Sequence, residues 1–181
     1  MEQYIPASLL NDFIYSPESI YLHSIYSDFD KSIYQDLPQI NGTLNHQSID
    51  QATYTTVKNT LQGVMFFCEQ YNLCGRIDLY NTKTGVLTER KSLIKHIHIG
   101  YRYQLYAEMF GLLELGYKVN KLQLHSLQDN KKYPIPLPNQ QRIQEFTSTI
   151  QDLQNFDPIS ILQNNHTSPN TNISIYQNLS F

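Results

Sequence analysis

The sequence predicts an α/β fold in which helices flank a mixed central sheet, made of an antiparallel meander plus a strand that follows a crossover helix. Three observations predict it. Residues 75–91 alternate apolar and polar side chains on either side of an NTKTG segment, which is typical of an antiparallel hairpin. Residues 101–116 carry leucines at helical spacing and end on glycine. Residues 118–127 then alternate approximately, so this strand should lie parallel to the preceding one.

The hairpin has regular elements on both sides. Residues 61–70 are apolar and rich in strand formers, and Tyr71-Asn72 predicts a turn, so this strand completes the meander. Residues 140–156 place apolar side chains on one face and predict a closing helix. The N-terminal region predicts two short helices, over 5–15 and 18–26, separated by Ser16-Pro17.

The length of 181 residues favours one domain. Residues 1–40 form the N-terminal helical region, residues 41–156 the core, and residues 157–181 a weakly patterned tail. No apolar run approaches the ~20 residues that a membrane helix requires. The two cysteines are too few for a disulfide framework and read as small core residues of a reduced protein. We therefore expect a soluble, cytoplasmic protein without a membrane partner.

Basic residues are concentrated in the middle of the chain. The net charge is −3, yet ten of the thirteen Lys and Arg residues fall within 76–132. This distribution predicts a mildly basic face around the hairpin that suits a phosphate backbone. A solvated face with no ligand explains the distribution equally well.

The hairpin carries three charges that could act together. Leu87, Glu89 and Lys91 share one face of the second strand, and Asp78 of the first strand can lie beside them. Two carboxylates can hold divalent ions that polarise a phosphodiester, while an ammonium orients the attacking water or offsets charge on the phosphate. The alternative is an exposed hairpin whose charges are solvated and loosely paired.

His96 and His98 are two residues apart, and on a strand such residues point to the same side, as two ligands of one metal ion would. They lie in a predicted loop beside Lys95, with no cysteine and no acidic residue nearby. We therefore interpret them as surface groups that can contact a phosphate, and not as metal ligands.

The order of the polar motifs resembles that of a known nuclease family. His46, Asp78, Glu89-x-Lys91 and Gln104 follow one another as in the RecB-like nucleases of the PD-(D/E)xK superfamily. More narrowly, the chain is similar to the CRISPR-associated nuclease of the fourth Cas family, especially the form that accompanies type V systems. The matching segments are IPASLLNDFIYSPESIYLH, INGTLNH, NLCGRIDLY with LTERK, and YQLYAEMFGLLELGY.

This resemblance implies a restriction-endonuclease-like PD-(D/E)xK core and a role for each matched residue. His46, Asp78 and Glu89 would coordinate Mn²⁺ or Mg²⁺, aided by the backbone carbonyl of Arg90. Lys91 would assist the attacking water, and Gln104 would contact DNA or a group next to the ligands. Four residues after that glutamine the family has a tyrosine, where this chain has Glu108. The tyrosines that could substitute for it are Tyr101, Tyr103 and Tyr106.

The resemblance also concerns an iron-sulfur cluster that family members hold with four cysteines. This chain has Ser16, Ser174 and Ser180 at cysteine-like positions, with Thr171 or Ser168 at the remaining one. Cluster iron is held by thiolates, so we predict that no cluster is present. Natural loss of the cluster and deliberate replacement of the cysteines would leave the same sequence.

The function that the resemblance implies is DNA hydrolysis during CRISPR adaptation, a part of antiviral defence. As a metal-dependent exonuclease or endonuclease, the protein would process single-stranded ends of spacer precursors beside the protospacer-adjacent motif. Its partners would be single-stranded or partly single-stranded DNA and the CRISPR spacer integrase complex. Two alternatives differ in class: a non-catalytic subunit of that complex that binds DNA ends, and a structural domain whose motifs coincide by chance.

Overall fold

The computed structural model describes residues 4–17, 20 and 59–157. Within these residues, six strands form one mixed sheet, accompanied by three helices with defined bounds. The elements in chain order are β1 (Ile5–Pro6), α1 (Ser8–Tyr15), β2 (Thr60–Cys68), β3 (Leu73–Asn81), β4 (Val86–Lys91), α2 (Ile99–Glu114), β5 (Lys121–Ser126), β6 (Lys131–Ile135) and α3 (Gln140–Gln154). The predicted mixed α/β architecture is confirmed.

Strand β3 lies at the centre of the meander. Strand β2 pairs with it in antiparallel fashion along one edge. On the other edge, β1 pairs in parallel with the start of β3, and β4 pairs antiparallel with its end. Beyond β4, strand β5 is parallel and β6 is antiparallel to β5. The predicted meander and the parallel strand after the crossover helix are therefore confirmed.

The turn between β3 and β4 is held by Asn81. Its side-chain oxygen accepts hydrogen bonds from the backbone N–H groups of Lys83 and Thr84, at 3.1 and 2.9 Å. Gly85 closes the turn with φ +68°, a conformation that glycine adopts without steric penalty. The ladder between the two strands joins Leu79, Tyr80 and Asn81 to the first three residues of β4. Asp78 and Glu89 lie next to the Leu79–Thr88 pair, at the end of this ladder far from the turn.

The core lies between the sheet and helix α2. Nine residues of α2 are buried, because the helix touches strands β2 to β4 and is also packed against α1. Phe66 of β2 lies between Gly75 and Gly111, where no larger side chain fits. Phe146 of α3 completes the core through ring contacts with Tyr71, Tyr103, Tyr106 and Phe110.

Several element boundaries differ from the sequence prediction. The predicted first helix over 5–15 begins only at Ser8, because Ile5 and Pro6 form β1, with the Ile5 N–H bonded to the Asn72 carbonyl at 2.9 Å. Residues 131–135 form strand β6, which the sequence prediction left unassigned. Cys68 is buried as predicted, whereas Cys74 is only partly buried, and both are free thiols.

Other predictions fall outside the described residues. These are most of the second N-terminal helix and the tail beyond Asp157. The single-domain organisation therefore stays a prediction. In the part of the chain that the structure covers, no helix combines the length and apolarity needed to cross a membrane.

Candidate functional site

Strand β4 brings Glu89 and Lys91 to one face of the sheet, as its alternation predicts. The Glu89 side chain is 0% exposed, and its Oε1 lies 2.8 Å from Lys91 Nζ. The Lys91 side chain is 21% exposed, so its ammonium lies between the buried carboxylate and the surface. A buried carboxylate requires such a partner, because removing an ion from water without compensation is unfavourable.

Helix α2 places Gln104 against this ion pair. The side-chain nitrogen of Gln104 donates to Glu89 Oε1 at 2.8 Å, and its oxygen accepts from Lys91 Nζ at 2.9 Å. The amide orientation is determined by this pairing, since only its nitrogen can donate to a carboxylate and only its oxygen can accept from an ammonium. Glu89, Lys91 and Gln104 thus form a closed triangle of hydrogen bonds.

Asp78 completes the group at the point where β3 passes β4. Its residue exposure is 3%, and its Oδ2 accepts a hydrogen bond from the backbone N–H of Arg90 at 2.9 Å. The negative charges of Asp78 and Glu89 both act on Lys91. The structure therefore brings Asp78, Glu89, Lys91 and Gln104 together. The metal-binding role of the Arg90 carbonyl stays a prediction.

The charge of Lys91 follows from its surroundings. Burial alone would lower the pKa of Lys91, but the charge and hydrogen bond of Glu89, with a contribution from Asp78, raise it above its usual value. Lys91 is consequently an ammonium at neutral pH. In that state it can donate hydrogen bonds to a water molecule or to a phosphate oxygen.

Glu108 adds a third carboxyl group to this site. It lies one helical turn after Gln104, is 1% exposed, and neither carboxyl oxygen has a hydrogen-bond donor among the described residues. Burial, followed by the negative charges of Glu89 and Asp78, raises the pKa of Glu108 well above its usual value. The fold therefore favours the neutral form of the Glu108 carboxyl over the charged form.

Among the three tyrosines that could replace the missing motif tyrosine, only Tyr101 contacts the site. Lys91 Nζ lies over the Tyr101 ring, 5.1 Å from its centroid. Tyr103 and Tyr106 are buried and pack their rings against Phe146. Their positions are explained by the core.

The donor set fits a divalent cation in its chemistry. Asp78 and Glu89 carry carboxylate oxygens, the ligand type that Mg²⁺ and Mn²⁺ prefer, and both oxygens of Glu108 are buried without a hydrogen-bond partner among the described residues. Within the described residues, no three His, Cys, Asp or Glu side chains are gathered closely enough to hold an ion. The predicted ligand His46 lies outside those residues.

Of the residues at cysteine-like positions, only Ser16 lies within the described residues. Ser16 ends helix α1, and its backbone N–H donates to the Asp12 carbonyl at 2.8 Å. The other positions, Ser168, Thr171, Ser174 and Ser180, lie outside the described residues. The absence of a cluster stays a prediction.

Sequence reasoning missed that Glu108 lies close enough to Glu89 for their charges to interact, and it did not choose Tyr101, which contacts Lys91, among the three candidate tyrosines. Both positions had a signal in the sequence. Residues 101, 104 and 108 are spaced by three and four, so they share one face of α2. Once Gln104 is assigned to the site, this spacing places the other two beside it.

Comparison with known proteins supports the fold. No protein-family model matches the chain, and no curated protein is similar to it. Among solved structures, the chain is similar to the crystal structure of SSO0001, with a TM-score of 0.53 and 15% sequence identity. The match covers 99% of this chain and 87% of that chain. At this identity the likeness concerns the fold alone, and the fold in question is a mixed sheet flanked by helices.

Proposed function

We propose that the chain is a metal-dependent DNA nuclease with a PD-(D/E)xK core. The observation that carries this proposal is the meeting of Asp78, Glu89 and Lys91 where strands β3 and β4 pass each other, with Gln104 bonded to both Glu89 and Lys91. The four residues come from three elements: Asp78 and Glu89 are buried, and Lys91 and Gln104 are both bonded to Glu89. A chance set of solvated charges would not require this arrangement.

Each residue of the site has a separate role in the proposed hydrolysis of a phosphodiester. Asp78 and Glu89, together with His46, would hold Mn²⁺ or Mg²⁺, which supplies Lewis-acid activation of a water molecule and of the phosphate. The Lys91 ammonium donates to the attacking water or to the phosphate oxygen on which negative charge develops. Gln104 holds Lys91 and Glu89 in a fixed relation, so that little reorganisation is needed when the substrate arrives.

The biological setting that we propose is CRISPR adaptation. The protein would process single-stranded ends of spacer precursors beside the protospacer-adjacent motif, in company with the spacer integrase complex. The support for this setting is the order of the motifs from His46 to Gln104 and their likeness to the fourth Cas family. The cytoplasmic location belongs to the same proposal.

A cleavage assay with conservative variants tests the proposal. Purified protein is incubated with Mn²⁺ and single-stranded DNA labelled at the 5′ or the 3′ end. Asp78→Asn and Glu89→Gln should lower the cleavage rate by about 100-fold or more, because each removes a charged ligand. Asp129→Asn, which alters a surface carboxylate paired with Lys131, is the matched control and should cut at the parent rate.

The outcomes of this assay distinguish a nuclease from a non-catalytic subunit that binds DNA ends. Cleavage that survives Glu89→Gln at the parent rate would show that the site assignment is wrong. Binding of Mn²⁺ and DNA ends without cleavage by the parent protein would favour the alternative of a non-catalytic end-binding subunit. Circular dichroism of each variant shows whether the fold has been retained.

A further inference from the structure

A row of rings leads away from the candidate site. Lys91 Nζ lies 5.1 Å from the Tyr101 ring centroid, the Tyr101 and His98 centroids are 5.5 Å apart, and those of His98 and His96 are 6.4 Å apart. Exposure increases along this row. Tyr101 is partly buried, whereas His98 and His96 are exposed. The row therefore connects a buried carboxylate pair with the protein surface.

The local structure does not require these imidazoles. His98 is the N-cap residue of helix α2, yet its side chain makes no capping hydrogen bond. Both rings are exposed, so their contribution to the core is small. Their contacts are edge-to-face contacts with each other and with Tyr101. Packing and capping thus leave the positions of these rings unexplained.

The charged residues of the segment that carries the row are all basic, while the carboxylates of Asp78 and Glu89 lie at its buried end. The segment 90–107 contains Arg90, Lys91, Lys95 and Arg102 and no aspartate or glutamate. Lys95 is exposed between Lys91 and the two histidines. Proteins that bind single-stranded nucleic acid combine basic residues, which follow the phosphates, with aromatic rings on which bases stack. Both features are present here on one short segment.

We infer that the His96–His98–Tyr101 row is a stacking platform for single-stranded DNA whose phosphate lies at Lys91. Bases of the strand stack on the exposed His98 and His96 rings, and Lys95 contacts the phosphates between them. Tyr101 is a positioning residue that holds His98 beside Lys91. The direction in which the strand runs, from the exposed rings towards Lys91, rests on the proposed nuclease function. Binding of the strand to the rings can be tested by itself.

The test measures binding of a fluorescein-labelled single strand to the full chain by anisotropy. EDTA is present so that no metal-dependent cleavage occurs, and the salt concentration is constant. His98→Ala should weaken binding about five-fold or more, because stacking of one base is lost. His98→Phe keeps an aromatic face and should bind within about two-fold of the parent, whereas His98→Leu keeps apolar bulk only and should behave like His98→Ala.

Salt dependence separates stacking from contact with phosphate. Lys95→Ala should reduce the slope of log affinity against log salt by about one, because one phosphate contact is lost. His98→Phe should leave this slope unchanged. The control ligand is a duplex closed by a hairpin loop at each end, which offers few unstacked bases. His98→Ala should change the affinity for this duplex by less than about two-fold.

The outcomes distinguish this inference from the nuclease proposal. Equal binding by the parent and His98→Leu, or equal weakening by His98→Phe and His98→Ala, would overturn the stacking platform even if the protein cuts DNA. If the expected binding pattern is found while the parent fails to cut with Mn²⁺, the platform stands and the nuclease assignment falls.

Discussion

Gln104 of helix α2 donates a hydrogen bond of 2.8 Å to Glu89 of strand β4, across the interface between helix and sheet. The same amide accepts from Lys91, the partner of Glu89 in an ion pair of 2.8 Å. A neutral side chain on the helix thus contacts both charges of a buried pair. This relation couples the packing of α2 to the geometry of the candidate site.

Gln104→Glu should disturb the site without changing its shape. The new carboxylate cannot donate to Glu89 and places a second negative charge beside it. We expect the free energy of unfolding to fall by about 1–3 kcal/mol, since the buried Glu89 loses one of its two donors. Urea unfolding at neutral pH measures this change. Gln144→Glu, on the exposed face of α3, should stay within about 0.5 kcal/mol of the parent, and an equal loss in both variants would contradict the interpretation.

Glu108 should make the stability of the metal-free protein depend on pH. Its pKa in the folded state is raised well above the ordinary value of 4.5, by burial and by the charges of Glu89 and Asp78. The fold therefore favours the protonated form. The stabilisation that protonation provides is fully present below the ordinary pKa and is lost as the pH rises through the folded pKa.

Glu108→Gln removes this titration while keeping a hydrogen-bond donor. In EDTA, the difference in unfolding free energy between variant and parent should shift in favour of the variant as the pH rises from about 5 to about 8. Urea midpoints across this range provide the measurement. Glu145→Gln, at a more exposed carboxylate paired with Arg142, is the control. Parallel pH curves for Glu108→Gln and the parent would show that Glu108 is not buried beside Glu89.

Glu114 should stabilise the turn between β2 and β3. Its carboxylate accepts hydrogen bonds from the backbone N–H groups of Glu69 and Gln70, at 2.7 and 3.0 Å, and from the Cys68 thiol at 3.2 Å. Glu114→Ala should lower the unfolding free energy by about 1 kcal/mol, because the group is exposed and its bonds compete with water. Glu145→Ala should have a smaller effect in the same urea experiment.

The contribution of Glu114 should disappear in acid. Burial acts to raise the pKa of Glu114, but the N–H groups of Gln70 and Glu69 outweigh it and hold the pKa below 4.5. Its stabilisation is present above the ordinary pKa and is lost as the pH falls through the folded pKa. The difference between the parent and Glu114→Ala should therefore shrink below about pH 4. A difference that persists there would indicate that packing, and not charge, stabilises the turn.

Cys68 should be chemically inert in the folded protein. Burial, followed by the neighbouring Glu114 acceptor, raises the pKa of its thiol to about 12. The thiolate is the reactive species, so little of it is present near neutral pH. In a Cys74→Ser variant, iodoacetamide should label Cys68 far more slowly in buffer than in urea, as measured by mass spectrometry. Equal rates would show that the β2 terminus opens readily.

Gly111 should be required for the packing of α2 on β2. A Cβ at this position would overlap Phe66 Cδ2 and lie 2.8 Å from Phe66 Cγ. Alanine favours helix by about 1 kcal/mol over glycine, yet overpacking typically destabilises by about 1–3 kcal/mol. Gly111→Ala should therefore lower the melting temperature. Combining it with Phe66→Leu should destabilise less than the sum of the single changes, whereas additive losses would show that the two residues do not meet.

Much of the fold could be predicted because its signals are local. The NTKTG turn and the alternation on both sides of it determine the β3–β4 hairpin, and they place Glu89 and Lys91 on one face. Strand β1 was missed because two residues carry no periodicity, and only pairing with the start of β3 makes them a strand. Strand β6 was missed because Pro134 interrupts its pattern, although an edge strand tolerates proline.

The sequence by itself determined the hairpin, the helix α2 and the order in which the candidate site residues occur. Only the tertiary structure decided that Gln104 meets both Glu89 and Lys91, that Glu108 is buried beside Glu89, and that Tyr101 is the tyrosine next to Lys91. The physical reason is that periodicity determines how a side chain points from its own element. The position of one element on another depends on packing, here on the close approach of α2 to Phe66 that Gly111 permits.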